Sequence, residues 1–282
     1  MMGGFLGEKV GEGTTADIHA WAPGQVVKLF KAGVPTRLGK HEARMTRAAF
    51  TGGAPAPEVY GEVNVDGRFG FVMRRFDGPT LRDLLLTQAV TPEQAGAILA
   101  TLYMSVHRTR PPPNVVSLRD WIEAVSRQSV HVLPLEIVAG VLGLIDRLPA
   151  PEGLCHTDLH PGNVIMTTSG PKIIDWTCAV RAHTVFDLGR AHISLTELVP
   201  EDADPELARA IDLAVQSEYA RLAGTALAEL TATMEPHLSI VRAFVLLQRR
   251  PATSAQRERL IQRVAGALLS EANFQWRTPD HC

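Results

Sequence analysis

Residues 154–176 read LCHTDLHPGNVIMTTSGPKIIDW. Two short apolar runs, Val164-Ile165-Met166 and Lys172-Ile173-Ile174, flank the turn formers Thr-Thr-Ser-Gly-Pro. The pattern predicts a loop followed by a β-hairpin. Such a hairpin brings Asn163 and Asp175 together at its open end, with Asp158 on the loop leading in. A carboxylate, an amide and a second carboxylate in one place have three readings: a metal site, a hydrolytic site, or a buried polar knot whose members satisfy one another.

Outward from that stretch the chain changes character twice. The first 75 or so residues are strand-rich by alternation and turn signals. Glycines interrupt Glu8 to His19, Gln25 to Phe30 is a short apolar strand around one lysine, and Asp66-Gly67 joins Val59–Val65 to Phe69–Arg75 as a hairpin. Leu38–Phe50 is the one good helix there, stopped by Gly52-Gly53. From Thr80 onward helices dominate. Thr91-Pro92-Glu93 opens one with an N-cap and an N1 proline, and Ala95, Ile98, Leu99, Leu102 and Val106 give it an apolar stripe. Further helices are expected at about 118–130, 134–147, 205–222 and 238–269, with Pro111-Pro112-Pro113 a rigid connection and Pro251 a break. The sequence therefore divides into a small sheet-rich lobe, 1–76, and a larger helical one, 77–282.

Composition excludes several classes. With 282 residues and 45% apolar content the chain can bury a sizeable core. Its 28 basic and 30 acidic side chains leave a net charge of −2, so no global field favours nucleic acid or an anionic membrane. Three cysteines, Cys155, Cys178 and Cys282, have no metal-ligand spacing and suit a reducing compartment. The N-terminus lacks the charge and apolar run of a signal peptide, and no apolar stretch approaches a membrane span, so cytoplasm is the expectation.

His156-x-Asp158-x-x-x-x-Asn163, with Asp175 twelve positions on, has the spacing used for phosphoryl transfer from a nucleotide, where the protein supplies positioning and charge stabilisation. Asp158 would accept the proton of the attacking hydroxyl, while Asn163 and Asp175 would hold Mg²⁺, a cation that takes oxygen ligands. The N-terminal segment tests this independently. Val10-Gly11-Glu12-Gly13-Thr14-Thr15-Ala16-Asp17-Ile18 fits a strand-turn-strand in which Gly11 and Gly13 let the backbone approach phosphates. The period of two along Gln25–Phe30 places Val26 and Lys28 on one face. Val26 with Ile18 would cover a purine, Lys28 would reach the α- and β-phosphates, and Glu42 on the helix is the partner that would hold Lys28 extended.

On VGEGTTADI, VVKLF, CHTDLHPGNV and KIIDW the sequence resembles the aminoglycoside phosphotransferase and choline kinase branch of the protein-kinase-like fold, over nearly its whole length. The resemblance implies an α+β bilobal fold: a small antiparallel-sheet N-lobe with one main helix, and a mostly helical C-lobe. It puts Met73 at the back of the purine pocket and the backbone of Arg74 to Phe76 on the base. Asp175-Trp176-Thr177 stands where protein kinases have Asp-Phe-Gly, and Asp187-Leu-Gly-Arg190 follows too soon for a long activation loop, which favours a small-molecule kinase.

The implied activity is an O-phosphotransferase using ATP, or GTP, on a hydroxyl of a small cationic molecule, an aminoglycoside or related antibiotic being the leading case. A metabolic kinase of choline, amino alcohol or sugar type and a nucleotide-binding pseudokinase are the alternatives. The cationic preference comes from Glu197, Glu201, Asp202, Asp204 and Glu206, five carboxylates without a basic residue between them. The simpler reading of that run is a solvated loop leading into the helix at Pro205. Tyr103, Trp121 and Trp176 are candidates for an aromatic cage around a quaternary ammonium, or simply core. His156 and Asp187 are expected to brace the Asp158 loop, and His160 to be structural.

Overall fold

The computed structural model describes residues 6–275 except 112, 114, 129–131, 149–152 and 249–252, with side chains through residue 270. Pro112, the break at Pro251, the end of the 118–130 helix and the side chains of Asn273 to Trp276 lie outside the described residues.

A five-stranded antiparallel sheet forms first: β1 (Lys9–Glu12), β2 (Ala16–Ala22), β3 (Gln25–Phe30), β4 (Val59–Val65) and β5 (Arg68–Arg74), in the order β1-β2-β3-β5-β4. Asp66 and Gly67 turn β4 into β5 with φ of 51° and 76°, the two left-handed positions that a two-residue hairpin of this twist requires. Helix α1 (Thr36–Thr51) lies on the sheet, one turn longer in all than its apolar pattern predicts. Phe30, Phe69, Phe71 and Ala43 make the apolar layer between them.

The chain then crosses through residues 75–80. Gly78, at φ 150°, runs so close to the next lobe that a Cβ there would stand 2.0 Å from the Met166 carbonyl oxygen, so only glycine fits. The Met166 amide donates to Pro79 O at 2.9 Å, stitching the crossing to the C-terminal hairpin. Two capping boxes start α2 (Leu81–Leu86) and α3 (Pro92–His107): Thr80 with Asp83, and Thr91 with Gln94. α4 (Leu118–Gln128), α5 (Leu135–Arg147), α6 (Thr184–Thr196), α7 (Pro205–Ala223), α8 (Leu227–Leu247) and α9 (Ser254–Gln275) complete the helical lobe. Between α5 and α6 come β6 (Gly153–Cys155), a 3-10 turn (Pro161–Asn163), the β7–β8 hairpin (Val164–Thr167, Gly170–Ile173) and β9 (Val180–Ala182).

One expectation is corrected. The stretch expected over 238–269 with a break at Pro251 does divide into two helices, α8 and α9, but the first begins at Leu227 and carries Pro236 inside it. An interior proline costs about 3 kcal/mol. Leu230, Met234, Leu238, Val241, Phe244 and Val245 are buried along that helix, each worth roughly 1.5–3 kcal/mol, so packing overrides the local penalty. No helix among the described residues is long and apolar enough to cross a membrane.

Candidate active site

Lys28 lies on β3, the central strand of the sheet, flanked by Ile18 on β2 and Phe71 on β5. Its ammonium donates to the Glu42 carboxylate on α1, and both side chains are largely buried. Burial alone would lower the lysine pKa, but Glu42 and, at 3.9 Å, Asp175 more than offset it and hold Lys28 cationic. Asp175 in turn sits below the ordinary carboxylate range: burial opposes ionisation, and Lys28 with the Thr177 hydroxyl, 2.7 Å from Oδ1, outweighs it. Asp175 also has φ 63°, a left-handed conformation unusual for a residue with a side chain, of the kind that clusters at functional sites.

These groups line one cleft of about 540 Å³ between the sheet and the hairpin, within the roughly 300–1,000 Å³ of small-molecule sites. Gly11, Gly13, Ile18, Val26, Lys28, Glu42, Met73, Arg74 and Phe76 all stand on its walls with Asn163 and Asp175. Val26 and Met73 are cross-strand partners, so apolar side chains cover one side and polar ones the other. Gly11 and Gly13 do not have positive φ, and a Cβ at either would approach nothing closer than 3.4 Å. The fold itself therefore does not demand glycine at either position. The expectation for Arg74 to Phe76 is narrowed: the Arg74 amide donates to Glu58 O and the Arg75 amide to Gly24 O, both at 2.9 Å. Only the Phe76 amide of the three has no such partner among the described residues.

Asp158 is not on that wall. It sits just below, on a loop held at both ends. Asp187 accepts the amides of His156 (2.8 Å) and Thr157 (2.7 Å), the Tyr103 hydroxyl donates to Leu159 O (2.8 Å), and the Thr157 hydroxyl donates to Cys178 O (2.7 Å). These anchors hold Thr157 at φ 61°. His156 accepts the Asp158 amide at Nδ1, leaving Nε2 to donate to Ile174 O, and its ring stands edge-on to Trp176. His160 caps the 3-10 turn through the Gly162 amide. Asn163 joins the two halves: its Nδ2 donates to Asp158 O at 2.9 Å, and its backbone carbonyl accepts the Ile174 amide. With Nδ2 so engaged, Asn163 has Oδ1 left as an acceptor, and it lines the cleft together with the carboxylate of Asp175; both are oxygen donors of the kind a hard divalent cation takes.

Arg190 was not singled out by sequence reasoning, yet its Nη2 donates to Asp158 Oδ1 at 3.2 Å. Spacing gave only a hint: Arg190 follows Asp187 by three positions, one helical turn, on the same side of α6. His107 was missed too; it holds Asp187 from the far side, 3.3 Å from Oδ2, and is itself bonded to Tyr219.

For two acceptor features the plainer reading holds. Tyr103 and Trp176 are fully enclosed in the core and Trp121 stacks on Phe244 at 4.4 Å, so the three make no cage. The acidic run is dispersed: Glu197 is bound by Arg242 and Arg263, Asp204 caps α7, and Glu206 pairs with Arg209. These three carboxylates are engaged within the protein, while Glu201 and Asp202 are exposed, as in a solvated loop.

A five-stranded sheet with one helix, a crossing segment and a helical lobe, with a lysine–glutamate pair facing an Asp-Asn-Asp set, define a kinase-like phosphotransferase. Residues 14–225 match the family model of the phosphotransferase enzyme family, and the chain belongs to that family. No curated protein matches it. Among solved structures it is similar to an aminoglycoside-3'-phosphotransferase of type VIII (22% identity, 85% of this chain and 93% of that one, TM-score 0.54). A choline/ethanolamine kinase family protein from Mesorhizobium loti shares 18% identity over 93% and 87%, with TM-score 0.52. The gentamicin complex of APH(2")-IIa shares 16% over 94% and 91%, with TM-score 0.56. At these identities the likeness is one of fold.

Proposed function

We propose that this phosphotransferase moves the γ-phosphoryl group of ATP, or GTP, to a hydroxyl of a small molecule, with residues 1–76 carrying the nucleotide and 77–282 the acceptor. The observation that carries the reading is the convergence of Lys28, Asn163 and Asp175 on one cleft, with Asp158 bonded to Asn163 beside it. Ile18, Val26 and Met73 sandwich the purine, and the Phe76 amide donates to its edge. Gly11 and Gly13 admit the phosphates, and Lys28, held cationic by Glu42, contacts them. Asn163 and Asp175 would hold Mg²⁺, which would supply neutralisation of the charge that develops on the transferred phosphoryl group.

Asp158 accepts the hydroxyl proton as the acceptor oxygen bonds to the γ-phosphorus and the bond from that phosphorus to the bridging oxygen breaks, releasing ADP or GDP. Arg190 fixes the carboxylate's direction, so the acceptor is met by an oriented base rather than a rotating one. Because the transferred group passes through a loose transition state, this positioning supplies most of the catalysis. Aminoglycosides and choline-type alcohols are acceptor classes to test because relatives carry those names; the dispersed acidic run lends them no support from this chain.

A coupled ADP-release assay with Mg²⁺-ATP over a panel of hydroxylated small molecules tests the reading. It predicts acceptor-dependent turnover that Asp158→Asn removes while nucleotide binding persists. Nucleotide binding with no turnover on any acceptor, and no slow hydrolysis, would point instead to a pseudokinase.

A further inference from the structure

A second cavity, of about 440 Å³, opens in the helical lobe between α6, α8 and α9. Helix geometry builds its walls, since residues three, four and seven apart share a face. Arg259 and Arg263 of α9 lie one turn apart on one wall, Glu235 and Arg242 of α8 on another, and Glu197 of α6 closes it. Arg242 reaches both oxygens of Glu197, at 2.8–3.2 Å, and Arg263 adds a contact at 2.6 Å. One mostly buried carboxylate thus serves two guanidiniums. Arg259 makes no hydrogen bond or ion pair among the described residues. Three guanidiniums therefore face two carboxylates, and since arginine does not lose its proton the positive excess is permanent. An anion relieves that crowding, and the planar fork of arginine matches a carboxylate or phosphate with two parallel bonds.

The place of the cavity suggests whose anion it is. Glu197, the C-cap of α6, follows Arg190 by seven positions, about two helical turns and roughly 10 Å along the axis at about 1.5 Å per residue. Arg190 is the residue that holds Asp158. We propose that this arginine-lined cavity anchors an anionic group, a carboxylate or phosphate, of the acceptor whose hydroxyl is presented to Asp158. The inference rests on the phosphotransferase reading for the word acceptor, but the anion site itself does not.

Two measurements on the full chain separate these. In the first, inorganic phosphate and, separately, malonate are titrated calorimetrically into protein whose nucleotide cleft is saturated with Mg²⁺-ADP. Saturable binding is expected, weakened at least tenfold in Arg259→Gln and in Arg263→Gln with ADP affinity unchanged; the anion that binds tells phosphate from carboxylate. Absence of binding to the unaltered protein, or equal binding by Arg259→Gln, overturns the site. In the second, ADP release is followed with matched pairs: hydroxy amino acids against the corresponding amino alcohols, sugar phosphates against free sugars, with aminoglycosides alongside. The anionic member of a pair is expected to be used, and Arg259→Gln to raise its KM at least tenfold with little change in kcat. Equal or better use of the neutral or cationic members overturns the acceptor assignment. Arginine-dependent anion binding with no acceptor turned over supports the site and removes the phosphotransferase reading instead.

Discussion

The guanidinium of Arg190 reaches back 32 positions along the chain to hydrogen-bond the carboxylate of Asp158 at 3.2 Å, with both side chains largely shielded from water. The bond ties the direction of the Asp158 carboxylate to the position of α6. Arg190→Lys keeps a charge but loses the fork that reaches both the loop and Ser194. The expected result is a fall in kcat of about 10- to 100-fold, as for a small misplacement of a reacting group. The KM for nucleotide should be unchanged in steady-state assays, because Arg190 does not line the nucleotide cleft. A rise in nucleotide KM at constant kcat would contradict this role.

Asp158→Asn leaves the loop anchors in place, because Asp187, Tyr103 and Asn163 all grip backbone atoms. Turnover should fall by about 10²–10⁴-fold, the usual contribution of a positioned base. Near-normal turnover would reassign the base.

Lys28 and Glu42 form a buried pair, so removing one partner strands the other. Lys28→Met should destabilise by about 3 kcal/mol, and Lys28→Met with Glu42→Leu should regain much of that, because the stranded charge is gone. Activity should be lost in both proteins. Urea unfolding and ADP release together separate the stability effect from the phosphate contact. A double variant no more stable than the single one would contradict the account.

Gly11→Ala and Gly13→Ala meet no atom closer than 3.4 Å and need no left-handed backbone. Thermal stability without ligand should change little, within about 0.5 kcal/mol as for ordinary surface changes. The nucleotide KM should rise, because the added methyls stand on the cleft wall where the phosphates approach. Loss of stability with unaltered KM would reverse the assignment.

His237 is buried against the His183 ring, 5.1 Å away, and burial first, then His183, lowers its pKa to about 4. A group depressed in the folded state contributes stability that is complete above its unfolded value near 6.5 and is lost as pH falls towards 4. His237→Leu should therefore flatten the decline of unfolding free energy between pH 6.5 and 4. His192 has the opposite sign: its hydrogen bond to Asp212 raises its pKa, so its contribution fades as pH rises through the raised value. Chemical denaturation at half-unit pH steps distinguishes the two.

Local chemistry made much of this protein legible in its sequence. Alternation marked β3 to β5, Asp66-Gly67 named its turn, Thr91-Pro92 started its helix, and the hairpin pattern foretold Asn163 and Asp175 flanking one open end, with Asp158 on the loop leading in. All of these are decided by residues within a few positions of one another, through backbone sterics, period and capping. The extent of α8 was not legible, because its proline argues against a helix locally and only burial against α6 and α9 outweighs that cost.

Tertiary structure alone decided who meets the reactive carboxylate and what the carboxylate-rich run does. Arg190 and His107 reach their partners from distant helices, and Glu197, which reads as part of an acidic loop, is enclosed by Arg242 and Arg263. Charge in a sequence is a sum over neighbours along the chain. Charge in a folded protein depends on which helices pack together and how much water remains between them, and linear spacing carries neither.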